Sequence, residues 1–427
     1  MAQIRKRGNT YTISVYAGTD QNGRRIMKHA TFAPSETTPK KIEKEVAAFA
    51  AEFENRIKNG LYFDGEKIKF GEFVEKWKEN YAKANLTPRV YQDYEYMIRT
   101  KLMPTLGNMI INKIKAVHLQ AIYSEMLDAG RAPATVKKVH AVASSIFTHA
   151  YKWNIIEENI CRRVELPKTS SYRDVSCFNT EQASRFLNAI SKPLPVKISG
   201  HDRIDQNGNP YHVDDYIEYK EVHLQFQVFF NLALFGGFRR GELIALTWND
   251  IDFENNCVNV TKSTSGVKGG QIDKPPKTRA SIRSVTLPSN CMQLLRKWRI
   301  KQREYSISIG SVWEGRMGRH FDDNYIFITD TGRQMDLATP YHKFKRIIRL
   351  YNESCGNEAD MLPDIRLHDL RHTSATLLIS QNVDIKTVSS RLGHSKTSVT
   401  LDIYTHALKQ LDEKASDALD GLLNKHA

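Results

Sequence analysis

The chain has 427 residues, 41% hydrophobic and 26% charged, a globular balance whose length leaves room for about two to four domains. Lys plus Arg outnumber Asp plus Glu by 62 to 48, a net charge of +14 that points to a polyanionic partner, of which nucleic acid is the commonest. The five cysteines (Cys161, Cys177, Cys257, Cys291, Cys355) are scattered and never form a Cys-x-x-Cys pair, and no apolar run approaches the ~18 residues of a membrane span. The N-terminal "MAQIRKRGNTYT" has no apolar signal-peptide core, so the expected setting is a reducing cytoplasm without disulfides, structural zinc or membrane insertion.

Residues 1–33 read as strands. "NTYTISVYAG" alternates, with Tyr11, Ile13 and Val15 on one face, and Asn22-Gly23 supplies a hairpin turn before the next run. Ile42, Val46, Phe49, Phe53 and Ile57 then recur at helical steps of three and four, with Gly60 as the stop. This small sheet-plus-helix unit carries Arg5, Lys6, Arg7, Arg24, Arg25 and Lys28, and one basic face of the sheet is the expected docking surface.

From residue 67 to about 166 the pattern is all-helical. Phe70, Phe73, Trp77 and Tyr81 mark one helix, and Thr87-Pro88 opens a second through Val90, Tyr94 and Ile98. "AVHLQAIYSEMLDAG" is a third, closed by Gly130. A fourth turns Val136, Val139, Ile146, Phe147 and Ala150 inward. The aromatics read as core, and Arg131, Lys137, Lys138 and His140 as outward DNA contacts. A polar linker, "LPKTSSYRDVSCF", follows. The remainder is mostly helical, with strands between Val258 and Leu287, and residues 192–221 interrupt the helices with a hairpin excursion.

Four stretches carry chemistry. "LFGGFRRGEL" sets Arg239 after a glycine pair, with Glu242 three residues on to hold it by an ion pair. "KPPKTRASIRSVTLP" places Lys277 at a turn before a strand. "RLHDLRH" aligns His368, Arg371 and His372 on one helical face. "RLGHSKTSVTLDIYTHAL" puts His394 at a glycine turn and Tyr404 ten residues later. His-x-x-x-His is also a zinc-hydrolase spacing. Here, however, an arginine stands among the would-be ligands and Asp369 lies on another face, so no metal site is expected and His372 defaults to a packing role.

The order Arg, Lys, His-x-x-Arg, His, Tyr resembles the tyrosine recombinase (phage-type integrase) family. The matching boxes are Gly237-Phe238-Arg239, His368 to Arg371, Leu392-Gly393-His394 and Tyr404, with Lys277 as the inter-strand lysine. The resemblance implies a multidomain α+β protein: an arm-type DNA-binding domain over 1–62, a helical core-binding domain over 66–168 and a mostly helical mixed α/β catalytic domain over 173–427. Residues 192–221 depart from the family pattern by their length. The implied reaction is integration and excision of a phage or conjugative element without any cofactor, by four protomers on two DNA segments through 3′-phosphotyrosine and Holliday-junction intermediates. Implied partners are double-stranded DNA at core and arm sites, an excisionase or host DNA-bending protein, and a neighbouring protomer. The neighbour would receive the terminal apolar stripe of Leu408, Leu411, Ala415, Ala418 and Leu422. The implied location is the bacterial cytoplasm, on the nucleoid.

The residue types make chemical sense by themselves. A tyrosine hydroxyl can store a cut phosphodiester as a covalent ester. Two guanidiniums can clamp the charged non-bridging oxygens. Lys277 can protonate the leaving 5′ oxygen, His368 can take the tyrosine proton, and His394 can hydrogen-bond the phosphate. Two alternatives share the scaffold, a type IB topoisomerase and a catalytically silent DNA-binding regulator. A strand-transfer assay on two DNA segments separates all three.

Overall fold

The computed structural model describes residues 2–19, 23–58, 68–168, 176–204, 206–275, 281–315 and 320–393. The chain divides into two compact units, residues 1–171 and 172–427.

The first unit holds two separate hydrophobic clusters. The smaller lies between an antiparallel sheet and one helix. The strands are β1 (Gln3–Arg7), β2 (Thr10–Thr19) and β3 (Arg25–Phe32), ordered β1-β2-β3, and the helix is α1 (Pro39–Lys58). Ile13 and Val15, two apart on β2, meet Ala50 and Phe53 of α1, and Phe32 stacks on Phe49 at 4.4 Å. Side chains alternate across a strand, so the register assigns faces. Ile4 and Lys6 lie opposite Ile13 and Tyr11, and Lys28 opposite Val15, on the helix side of the sheet. Arg5 and Arg7 lie opposite Thr12 and Thr10, on the open side with Ser14, His29 and Thr31. The basic residues are therefore split between two faces, because a run of three consecutive cations on a strand cannot share one.

The larger cluster fills a helical array. It comprises α2 (Phe70–Trp77), continued by a π turn over Lys78–Ala82, then α3 (Pro88–Met97), α4 (Ala116–Asp128) and α5 (Pro133–Lys152). Phe70, Phe73 and Trp77 are buried, as are Val136, Val139, Ile146, Phe147 and Ala150. Thr87 is the residue before α3, followed by Pro88, but its hydroxyl is buried without a hydrogen-bond partner instead of capping the helix. Arg131 and Lys138 are exposed and Lys137 partly so. His140 instead leans on the core, its Nδ1 3.3 Å from the Tyr123 hydroxyl, and burial lowers its pKa.

In the second unit, α6 (Thr180–Ser191) starts at Asn179, whose side chain accepts from the Gln182 N–H at 2.8 Å. The excursion over 192–221 is one long hairpin of nested ladders. β4 (Leu194–Ile198) pairs with β7 (Tyr216–Lys220), and β5 (His201–Ile204) with β6 (Pro210–Val213). Leu194 anchors it in the core, whereas Ile204 and Tyr219 are about 70% exposed (73% and 69%).

The next helix, α7 (Leu224–Gly236), is apolar on nearly every side and is buried accordingly. It ends at Gly237, whose φ of +61° suits a left-handed C-cap, and α8 (Arg240–Ala245) follows directly. β8 (Ile251–Asp252), β9 (Cys257–Val260) and β12 (Arg283–Thr286) form a three-stranded sheet, while β10 (Ser263–Val267) and β11 (Gly270–Lys274) pair as a hairpin between them in sequence. The remaining α-helices among the described residues are α9 (Ser289–Ile309), α10 (Thr339–Glu353), α11 (Asp369–Ser380) and α12 (Ile385–Leu392). The last ends on Gly393, also left-handed at φ +67°. No described helix is long and apolar enough to cross a membrane.

Candidate active site

Two helix C-termini converge on the site, those of α7 and α12. The last carbonyls of a helix have no partner within it and carry the negative end of its dipole, so they attract cations. Four arginines use them. Arg371 donates to the carbonyls of Gly237 and Leu392, each at 2.6 Å. Arg239 donates to Gly393 O at 3.3 Å. Arg391 donates to Phe235 O at 2.8 Å, and Arg283 to Arg391 O at 2.7 Å. The loop after α7 and the turn after α12 are thus laced together by guanidiniums.

Glu242 supplies the carboxylate. It is 4% exposed and caps α8, accepting from the Arg239 backbone N–H at 2.9 Å and from the Arg239 guanidinium at 2.8 Å. The same carboxylate accepts from Arg283 at 2.8 and 3.2 Å. Burial alone would raise its pKa, but the hydrogen bond and charge of Arg283, then those of Arg239, outweigh burial and lower it. The expected pairing of Arg239 with Glu242 is present, and Arg283 joins it.

His368 is the residue just before α11, with Arg371 in that helix's first turn. Burial, then the charge of Arg371, lowers its pKa, and Arg239 acts in the same direction, so the imidazole is neutral at pH 7. His372 meets it edge-on at 5.3 Å between ring centroids, its own pKa pushed down to about 4, first by burial and then by His368. Arg239 has a side chain 37% exposed, whereas Arg371 is 2% exposed.

Arg239 and Arg371 are therefore gathered at the turn that ends in Gly393, the residue preceding His394, with His368 close enough for both charges to act on it. Lys277, His394 and Tyr404 lie outside the described residues. β11, which ends three residues before Lys277, is held at Asp273 by Thr264, Tyr325 and Gln334 at 2.6, 2.7 and 3.0 Å. Sequence reading missed Arg283 and Arg391. A signal for the first exists: in "SIRSVTLP" the alternation that buries Val285 turns Arg283 inward as well, and leaves Ile282 55% exposed.

The phage integrase family model matches residues 212–410, and the model of the phage integrase N-terminal SAM-like domain matches residues 69–127. The chain belongs to the phage integrase family of tyrosine recombinases. A XerC-like tyrosine recombinase of Caldanaerobacter subterraneus is 28% identical, over 96% of each chain. The ICEBs1 integrase of Bacillus subtilis is 29% identical, over 79% of this chain and 78% of that one. Among solved structures, the Tn1549 transposon integrase in complex with a circular intermediate DNA shares the fold, with a TM-score of 0.59 and 20% identity over 80% of this chain and 98% of that one. A lambda integrase dimer bound to a core site matches with a TM-score of 0.51 and 15% identity over 79% of this chain and 95% of that one.

Proposed function

We propose that this recombinase integrates and excises a mobile genetic element by cutting and rejoining DNA at specific sites. The observation that carries the reading is the cluster of guanidiniums around one carboxylate, with the His368 imidazole beside it. Such a cluster holds surplus positive charge in a partly dehydrated place, where it best offsets charge developing on a phosphate.

The roles follow from the chemistry of each group. The Tyr404 oxygen attacks the scissile phosphorus and gives its proton to His368, whose neutral ring can accept it. The bond from phosphorus to the 5′ oxygen breaks, and Lys277 protonates the leaving oxygen. Arg239 presents its guanidinium to a non-bridging oxygen. Arg371 adds its charge from beneath and, through two carbonyls, holds the Arg239 loop against the turn before His394, which hydrogen-bonds the phosphate. A 3′-phosphotyrosine conserves the bond energy, so the reverse attack by a 5′ hydroxyl reseals the strand, and exchange between two DNA segments passes through a Holliday junction.

The remaining assignments complete this reading. Residues 1–62 bind arm sites, 66–168 the core site through Arg131, Lys137 and Lys138, and 173–427 carry catalysis. Four protomers assemble on DNA, each lending the stripe Leu408, Leu411, Ala415, Ala418 and Leu422 to a neighbour, with an excisionase or DNA-bending protein setting direction on the bacterial nucleoid. The test is Tyr404→Phe on a nicked duplex of the attachment core. Binding persists and protein–DNA adducts vanish; adducts formed by Tyr404→Phe overturn the nucleophile assignment.

A further inference from the structure

We propose that Arg283 is a positioning residue for strand cleavage, acting on the phosphate through Glu242 and Arg239. The proposal rests on the reading of Arg239 as the phosphate clamp. Arg283 closes a ring of hydrogen bonds: its Nε donates to Arg391 O at 2.7 Å, its terminal nitrogens hold both oxygens of Glu242 at 2.8 and 3.2 Å, Glu242 holds Arg239 at 2.8 Å, and Arg239 returns to Gly393 O at 3.3 Å. Three elements otherwise remote in sequence, β12, α8 and the end of α12, are linked by two arginines that share one carboxylate.

Arg283 has a side chain only 6% exposed, so it is not placed to touch DNA itself. Its effect is on the second partner of Glu242. A carboxylate shared between two guanidiniums gives each of them only part of its lone pairs, which leaves Arg239 with donors free for a phosphate. Without Arg283, both oxygens of a buried carboxylate would turn to Arg239, the one remaining guanidinium of the pair, and compete with the phosphate for it. Gly393 fits the same design. A Cβ there would come within 3.0 Å of the Arg283 Nη1 and 3.2 Å of its Cδ, so the turn before His394 packs directly on this side chain.

The experiment is a double-mutant cycle on the full chain, with single-turnover adduct formation on the nicked core duplex as the readout. Duplex affinity and thermal melting are measured alongside. Arg283→Met keeps the aliphatic stem. It is expected to slow adduct formation about 100-fold, the scale of a misplacement near 1 Å, with duplex affinity unchanged. Arg239→Ala is expected to lose about 100- to 1000-fold. In the Arg239→Ala background, Arg283→Met should change the rate by no more than about twofold, because the residue it positions is gone. Independent, multiplying losses would overturn the proposal while leaving Arg239 as the clamp. No loss in Arg239→Ala alone would overturn the clamp reading itself. Should Arg283→Met melt early, Arg283→Lys takes its place in the cycle, keeping a cation on Glu242 but not the two-sided fork. Unfolding of both variants, or wild-type adduct rates in both, would make Arg283 a stability residue and end the proposal.

Discussion

At the scale of single residues, the site shows how burial sets protonation. His368 and His372 stand four apart at the start of α11, each depressed chiefly by burial and further by neighbouring positive charge. A base whose folded pKa lies below its unfolded value makes the folded state refuse protons that the unfolded chain accepts. Stability from the neutral form is thus complete above the unfolded value near 6.5 and is lost as pH falls from there toward about 4. For His372 alone the loss is at most on the order of 3 kcal/mol, and less once solvent screening of a half-buried ring is counted. The urea midpoint should therefore fall between pH 7 and pH 4, and fall less in His372→Gln. Parallel pH profiles for the two proteins would contradict a half-buried neutral His372. Glu242, whose pKa is also lowered, acts in the same sense: its contribution is present above the usual carboxylate range and is lost as pH falls through its lower folded value.

At the scale of elements, two features set what can be changed. Gly237 ends α7 at φ +61°, and a Cβ added there would sit 2.6 Å from Leu392 Cδ2. Gly237→Ala should cost at least about 1–2 kcal/mol for the left-handed backbone alone, with more for the contact. It should also slow cleavage, since Arg239 is two residues on; a melting temperature equal to wild type would refute the close approach. The N-terminal sheet makes a second prediction. Arg5 and Arg7 project from the open face and Lys6 from the helix face, over the Tyr11 ring at 5.9 Å. Each phosphate contact contributes roughly −0.9 to the slope of log affinity against log salt. Arg5→Ala and Arg7→Ala should each flatten that slope on arm-site DNA by about that amount, and Lys6→Ala by less. An equal change from all three would mean that DNA does not lie on the open face.

At the scale of the whole molecule, linkage of modules is what recombination adds to cleavage. Holding two DNA sites at once depends on tethered domains raising the effective concentration of the second contact. Deleting residues 1–62 should weaken binding to long attachment-site DNA and abolish most integration, while adducts on a short core duplex continue to form. Full integration by the truncated chain, or loss of core adducts, would show that these residues are not an arm binder. Much of the local structure was legible in the chain itself. Alternation and three-to-four spacing marked the sheet, the helices and their apolar faces because those periods are local and repeat. Arg239, His368 and Arg371 stood out as candidates because few side chains can clamp a phosphate or take a proton, and the fold brings these three together. The faces of Arg5, Lys6 and Arg7 depended on strand register, which cross-strand pairing settles. The guanidinium ring depended on still longer contacts: Arg283 meets a carbonyl 108 residues away and Arg391 one 156 residues away. An arginine that holds a helix end looks, in sequence, like any surface arginine. Only the convergence of two helix C-termini distinguishes it, because the unpaired carbonyls that need a cation do not exist until both helices have formed and met.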